Sequence, residues 1–188
     1  MKRVIGGLAA LAGVALLAGA GPARASVTVI GGSLAEACSK AAVGGASSPR
    51  EEAVCTQSIE SEMLSPRDRA GTFVNRGIMK LRRGEWKAAL GDFNAAVRFE
   101  PKLGEIYVNR GAAYLGEHDY TAGLADLNKG IDLGVEEPAK AYYNRALAYE
   151  GLDDIKSAYF DYQKAVELSP DWDAPRQQLT RFHVTRRE

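Results

Sequence analysis

Histidine and cysteine are scarce, with two of each in 188 residues. Neither His118 nor His183 has a second His or Cys at metal-ligand spacing, so a zinc-type centre has no ligand set to build on. The chain also lacks a Gly-rich phosphate loop closed by Lys-Ser or Lys-Thr, and it lacks a nucleophile elbow. Acidic residues are spread along the chain, so an enzyme would have to assemble its site from distant segments. No catalytic residue, cofactor or metal is therefore expected. Charge of one sign is missing as well: 24 Lys and Arg balance 24 Asp and Glu, and no basic stripe marks a nucleic-acid surface.

The long apolar run lies at the N-terminus. Lys2 and Arg3 precede an apolar stretch from Val4 to Ala20, and Ala23-Arg24-Ala25 supplies an A-x-A cleavage pattern. Residues 1–25 thus read as a secretory signal peptide. The competing reading, an uncleaved anchor, is disfavoured because the run is short for a span and rich in Gly. No Cys follows the cleavage point directly, which disfavours a lipoprotein. Removal deletes Lys2, Arg3 and Arg24, leaving 21 basic against 24 acidic side chains. A periplasmic or secreted location follows, without a stable membrane anchor after cleavage.

Both cysteines, Cys38 and Cys55, fall in residues 26–66. An apolar helical stretch around Leu34 to Val43, the loop Gly44-Gly45-Ala46-Ser47-Ser48-Pro49, and a second helix from about Arg50 to Leu64 form a helical hairpin. Each cysteine stands about five residues from the loop, so the thiols are level across the hairpin. In an exported chain the simplest reading is a Cys38–Cys55 disulfide stabilising by roughly 3 kcal/mol. A redox-active pair is the alternative, against which the spacing is not Cys-x-x-Cys.

From residue 67 to 172 the chain repeats itself. FVNRGIMKLRRGEWKAALGDFNAAVRFEP, YVNRGAAYLGEHDYTAGLADLNKGIDLG and YYNRALAYEGLDDIKSAYFDYQKAVELSP superpose, with Gly77 to Gly111 and Asp92 to Asp126 34 residues apart and Asn109 to Asn144 35 apart. Each unit shows two runs of apolar residues at helical spacing. In the first, Phe73, Leu81, Trp86, Leu90, Phe93, Val97 and Phe99 recur, Gly84 breaks the run and Pro101 ends it. Small residues recur in step: Gly77, Gly111 and Ala146, then Ala89, Gly123 and Ala158, then Ala96, Gly130 and Ala165. These sites let helix ridges enter grooves.

Aromatic, small, small and terminal Pro in this order at this period resembles the tetratricopeptide repeat (TPR) family over about residues 70–172. The resemblance implies an all-α, right-handed solenoid of helix-turn-helix units at about 70–103, 104–138 and 139–172. The disulfide-stapled hairpin would cap one end, and a C-terminal helix and tail over 173–188 the other. In that helix Asp173 caps, Pro175 fits the first turn, and Leu179 and Phe182 form the apolar stripe, with Arg186-Arg187 as a solvated end. Two departures stand out. Lys80 replaces the Tyr of Tyr114 and Tyr149, so the outer end of the first unit reads as less tightly filled. Gly123 and Gly130 each cost about 1 kcal/mol in a helix interior, so the middle unit reads as the weakest.

Two further ladders run through the repeats. Arg76, Arg110 and Arg145 each stand 16 residues before Asp92, Asp126 and Asp161. They either pair and fix the stacking register, or point into the groove toward an acidic ligand. The second ladder is Asn75, Asn109 and Asn144. In TPR proteins the concave surface is lined mainly by first helices, which here implies a peptide-binding groove of Val74, Asn75, Ile78, Val108, Asn109, Ala112, Lys140, Tyr143, Asn144 and Leu147. The amides would bond the backbone of an extended peptide, or else bond neighbouring helices and only define packing.

The carboxylate-clamp TPR domains use Lys and Asn in the first unit, Asn in the second, and Lys and Arg in the third. Val74 and Ile78 depart from this pattern and Asn144 replaces the Arg, while Asn109 and Lys140 match. The expected function is an exported interaction adaptor for a protein or peptide partner. The alternative is an assembly subunit of an envelope complex using end or convex faces, with self-association possible.

Overall fold

The computed structural model describes residues 3–7 and 33–186. Within them lie α1 (Ser33–Val43), α2 (Pro49–Ser61), α3 (Pro66–Arg82), α4 (Trp86–Phe99), α5 (Gly104–Gly116), α6 (Tyr120–Leu133), α7 (Pro138–Gly151), α8 (Ile155–Leu168) and α9 (Asp173–Leu179). A short antiparallel pair, β1 (Arg3–Gly7) and β2 (Phe182–Arg186), completes the described elements. The helices pair as α3 with α4, α5 with α6 and α7 with α8, and the pairs stack in sequence into a right-handed α-solenoid. No described helix is long and apolar enough to cross a membrane. The expected signal peptide lies outside the described residues apart from Arg3–Gly7.

Every unit turns between its helices in the same way. Gly84, His118 and Asp153, at equivalent positions, have φ of 75°, 61° and 60°. The left-handed residue lets two N–H groups bond back onto the last helical turn, as Asp119 does to the Tyr114 carbonyl (2.9 Å) and His118 to that of Leu115 (3.0 Å). Gly84 suits this conformation, whereas His118 and Asp153 adopt it at a steric cost. The following helix is then capped by Asp119, which accepts from the Ala122 N–H (3.0 Å), and by Asp154, which accepts from the Ser157 N–H (3.0 Å).

The N-terminal hairpin is built as expected and bonded to the solenoid at both ends. Cys38 and Cys55 form a disulfide with their Cα atoms 4.9 Å apart, fully buried beside Met79 of α3. Glu62, just past α2, caps α1: its carboxylate accepts from the N–H groups of Leu34 (3.1 Å) and Ala35 (2.9 Å) and from the Ser58 hydroxyl (2.6 Å). At the other end Arg82 donates to the Ala46 carbonyl (2.9 Å) and Arg83 to that of Ser47 (2.6 Å). Lys80 corrects the sequence reading. Its ammonium bonds Asp92 (2.9 Å) and lies 3.6 Å from Glu52 of α2, so the place of a tyrosine is taken by a tie between hairpin and first unit.

The glycines of the middle unit are close approaches, as their place among the recurring small residues implies. A Cβ at Gly130 would stand 2.7 Å from Val108 Cγ2 and 3.0 Å from the Gly104 carbonyl oxygen. Helices α5 and α6 therefore approach more closely than any side chain at residue 130 permits.

The C-terminal end departs from the expectation in shape. Helix α9 stops at Leu179, Trp172 occupies the N-cap position, and the chain from Phe182 is extended. Phe182 still joins the core, but from a strand: its ring lies 5.6 Å from that of Tyr159 and 6.0 Å from that of Tyr162.

Two measurements check these assignments. Gly91 lies in α4 with open space around its Cβ position, so Gly91→Ala is expected to raise stability by about 1 kcal/mol. Gly130→Ala is expected to lower it despite the same propensity gain; thermal melts of the two variants read opposite signs. The second concerns acid. The Ser58 hydroxyl and the α1 N–H groups hold the Glu62 carboxyl below its ordinary pKa. Its contribution is fully present above the ordinary carboxylate range and is lost as pH falls through the lowered value. Glu62→Gln should lower the melting temperature at neutral pH, with the difference from the unaltered chain shrinking in acid.

Candidate functional site

Of the ten expected groove residues, nine are buried: Val74, Asn75, Ile78, Val108, Asn109, Ala112, Tyr143, Asn144 and Leu147. Lys140 is partly exposed, and its ammonium bonds Glu137 (2.7 Å). Val74 and Ile78 belong to a core shared with Ala35 of α1, Phe93 of α4 and Ile106 of α5. Val108, Tyr143 and Leu147 belong to a second core under the C-terminal cap, where Tyr143 packs at 4.9 Å against Trp172. The structure therefore places nine of these residues as a buried seam along the first helices, not as an open trough.

Burial makes the asparagines unusual. Asn75 is 1% exposed, Asn109 3% and Asn144 5%. Two of them keep amide groups unspent: both amide atoms of Asn75, and Nδ2 of Asn109, make no hydrogen bond among the described residues. A buried polar group without a partner costs about 1–3 kcal/mol. Such a cost, repeated one unit apart, marks a pair of groups whose bonding capacity is unspent.

The Arg ladder, by contrast, is fully used, and it pairs as the first of its two readings holds. Arg110 donates from Nε and Nη2 to the two carboxylate oxygens of Asp126 (2.6 and 2.8 Å). Arg145 does the same to Asp161 (2.7 and 2.9 Å), and Arg76 to Asp92 (3.1 and 2.7 Å). The hydrogen bond to Asp126 raises the Arg110 pKa above its ordinary value, against the lowering effect of burial. These arginines are thus paired within the protein.

A third contact of each arginine was not read from the sequence. Nη1 of Arg110 reaches back to Oδ1 of Asn94 in the preceding unit (2.8 Å), and Nη1 of Arg145 to Oδ1 of Asn128 (2.8 Å). Arg76 meets the Thr56 hydroxyl of α2 at 3.0 Å. Each guanidinium also lies over the aromatic ring that opens its own unit: Phe73 at 5.4 Å, Tyr107 at 5.3 Å and Tyr142 at 5.0 Å. The 34-residue step from Asn94 to Asn128 carried the signal for this bridge.

Residues 139–171, within the third unit, match the tetratricopeptide repeat family. No curated protein matches the sequence. Among solved structures, MamA residues 41 to end from Desulfovibrio magneticus RS-1 is similar with a TM-score of 0.63 at 22% identity, covering 79% of this chain and 82% of that one. The Arabidopsis OM64 TPR domain has a TM-score of 0.57 at 23% identity, over 60% of this chain and 92% of that one. The second TPR domain of human RPAP3, in complex with the HSP70 peptide SGPTIEEVD, has 0.56 at 22%, over 61% and 95%. At such identities the likeness is one of fold, that of a TPR solenoid.

The ladder is tested at its centre. Asp126→Asn keeps shape but leaves Arg110 without its carboxylate, and should lower stability by on the order of 3 kcal/mol. Chemical denaturation of the variant beside Asn94→Ala, whose exposed amide should cost less, measures both contacts.

Proposed function

We propose that the chain is an exported adaptor that binds an extended segment of a partner protein along the seam of its first helices. The observation that carries this reading is the pair of unpartnered amides, Asn75 and Asn109, buried one unit apart. An extended peptide presents N–H and C=O groups that can meet such amides, and the aliphatic neighbours Val74, Ile78 and Val108 supply apolar contact. Because the amides are buried, capture is coupled to a local parting of the first-helix seam.

The segment is uncharged or apolar at this seam. Human RPAP3 is seen with a peptide ending in EEVD, but Val74 and Ile78 stand here where clamp domains carry Lys and Asn, and the ladder arginines are already paired. Export is supported by the features of residues 1–25, and an oxidising compartment by the Cys38–Cys55 disulfide. A second reading, an assembly subunit using an end or convex face, is favoured by Phe160 of the last unit, which is 45% exposed.

The adaptor reading is tested with Asn75→Ala and Asn109→Ala combined. Since neither amide is fully bonded in the free protein, the double variant should keep its melting temperature while losing about tenfold or more of partner capture from envelope extract, a loss near 1.4 kcal/mol. Crosslinks in the unaltered protein should fall near residues 75, 109 and 144. Crosslinks confined to residues 179–188 or to the cysteine hairpin would exclude the seam and favour the assembly reading.

A further inference from the structure

The start of strand β2 is held by contacts that do not involve β1. The Phe182 ring is held by Tyr159 and Tyr162 of α8. Just before it, the Arg181 guanidinium donates to Glu150 (2.5 Å) and the Arg181 N–H to the Gln178 carbonyl (3.1 Å). Against this anchored segment β1 pairs antiparallel, from Gly7 opposite Phe182 to Arg3 opposite Arg186, while also lying on α8. A two-stranded pair alone is marginal in water, so α8 provides the support that lets it form.

The two strands have different fates under the export reading. Residues 3–7 belong to the segment that export would remove, whereas Tyr159, Tyr162, Glu150 and Gln178 all remain. Removal would leave the β2 edge with its ladder groups unmatched and its anchors intact. Such an edge is a template for strand addition.

We propose that β2 is a strand-accepting site, and that in the processed chain it takes an extended segment of a partner protein in the antiparallel register that β1 now occupies. The partner carries small residues opposite Phe182 and His183, where β1 places Gly7 and Gly6. Main-chain hydrogen bonds supply the affinity, and the small residues admit the strand beside the aromatic anchor at Phe182. Before processing, β1 is the chain's own occupant and keeps the edge covered. This site is separate from the first-helix seam.

The test uses the full-length chain with Val4→Pro and Gly6→Pro, which removes β1 as a ladder partner. A labelled synthetic peptide of residues 1–8 is titrated into this variant and into the unaltered chain. The variant should bind at least about tenfold more tightly, because the intramolecular strand leaves about a tenth or less of β2 free in the unaltered chain. Of two peptides N-methylated at alternate residues in opposite phase, one should lose binding and the other keep it, since one set of N–H groups faces β2. Adding Val184→Pro should abolish binding without changing helix content. Equal binding to both chains, no binding to the variant, or equal loss with both methylated peptides overturns the proposal. Adding Asn75→Ala and Asn109→Ala should leave peptide binding unchanged; loss there would place the peptide in the seam and overturn the strand site alone.

Discussion

The stack depends on one guanidinium per unit. A solenoid has no closed core, so each unit must be told how to sit on its neighbours. Arg110 does this with three contacts at once: two N–H groups clasp Asp126 in its own second helix, one reaches Asn94 in the preceding unit, and its face covers Tyr107. A lysine ammonium could meet one of these demands, but only a planar fork can meet all three in fixed geometry. Intra-unit closure and inter-unit register are therefore the same interaction, which explains why Arg and Asp recur together.

The bridge also extends the stack beyond its three units. Thr56 of α2 offers its hydroxyl to Arg76 as Asn94 and Asn128 offer their amides to the next two arginines. In this respect the disulfide-linked hairpin behaves as the tail of a preceding unit, with α2 in the role of its second helix. Glu62 and Arg69 then fasten the ends of α1 and α2, Lys80 meets Glu52 of α2, and Arg82 and Arg83 fasten the loop between them. The hairpin is thus integral to the first unit, although the repeat pattern does not reach it.

How much could be read in advance follows from the range of each interaction. The helix pairs, their turns and the Arg–Asp pairing were legible because each lies within one unit and recurs, so spacing alone exposes it; the disulfide was legible because its two cysteines stand level about one short hairpin loop. Burial of the first-helix seam was not legible. Val74 or Tyr143 is covered or open according to what packs from outside the unit, such as Ala35 of α1 or Trp172 beyond α8. The helix-propensity cost at Gly130 is local, while the nearness of Val108 that requires a glycine there is set by a different helix. The C-terminal break was ambiguous: Leu179 and Phe182 suit a helical stripe, yet the alternation Phe182-His183-Val184-Thr185 suits a strand as well. The unpartnered state of Asn75 and Asn109 had no sequence signal at all, since their letters suit both bonded and orphaned amides.

One steric detail gives the array a direction. A Cβ at Gly116 would stand 2.4 Å from the Trp86 ring of the preceding unit, and a Cβ at Gly151 2.3 Å from the Tyr120 ring. Each second helix thus begins with a bulky residue that claims space inside the following unit, and that unit yields it with a missing side chain. The equivalent residue of the first unit is Arg82, which donates to the Ala46 carbonyl of the hairpin loop. Units are consequently not interchangeable: the first cannot stand second without Arg82 colliding with an aromatic neighbour. Growth of such an array by duplication would have to copy an interior unit, and the order of its members is written into the size of one residue.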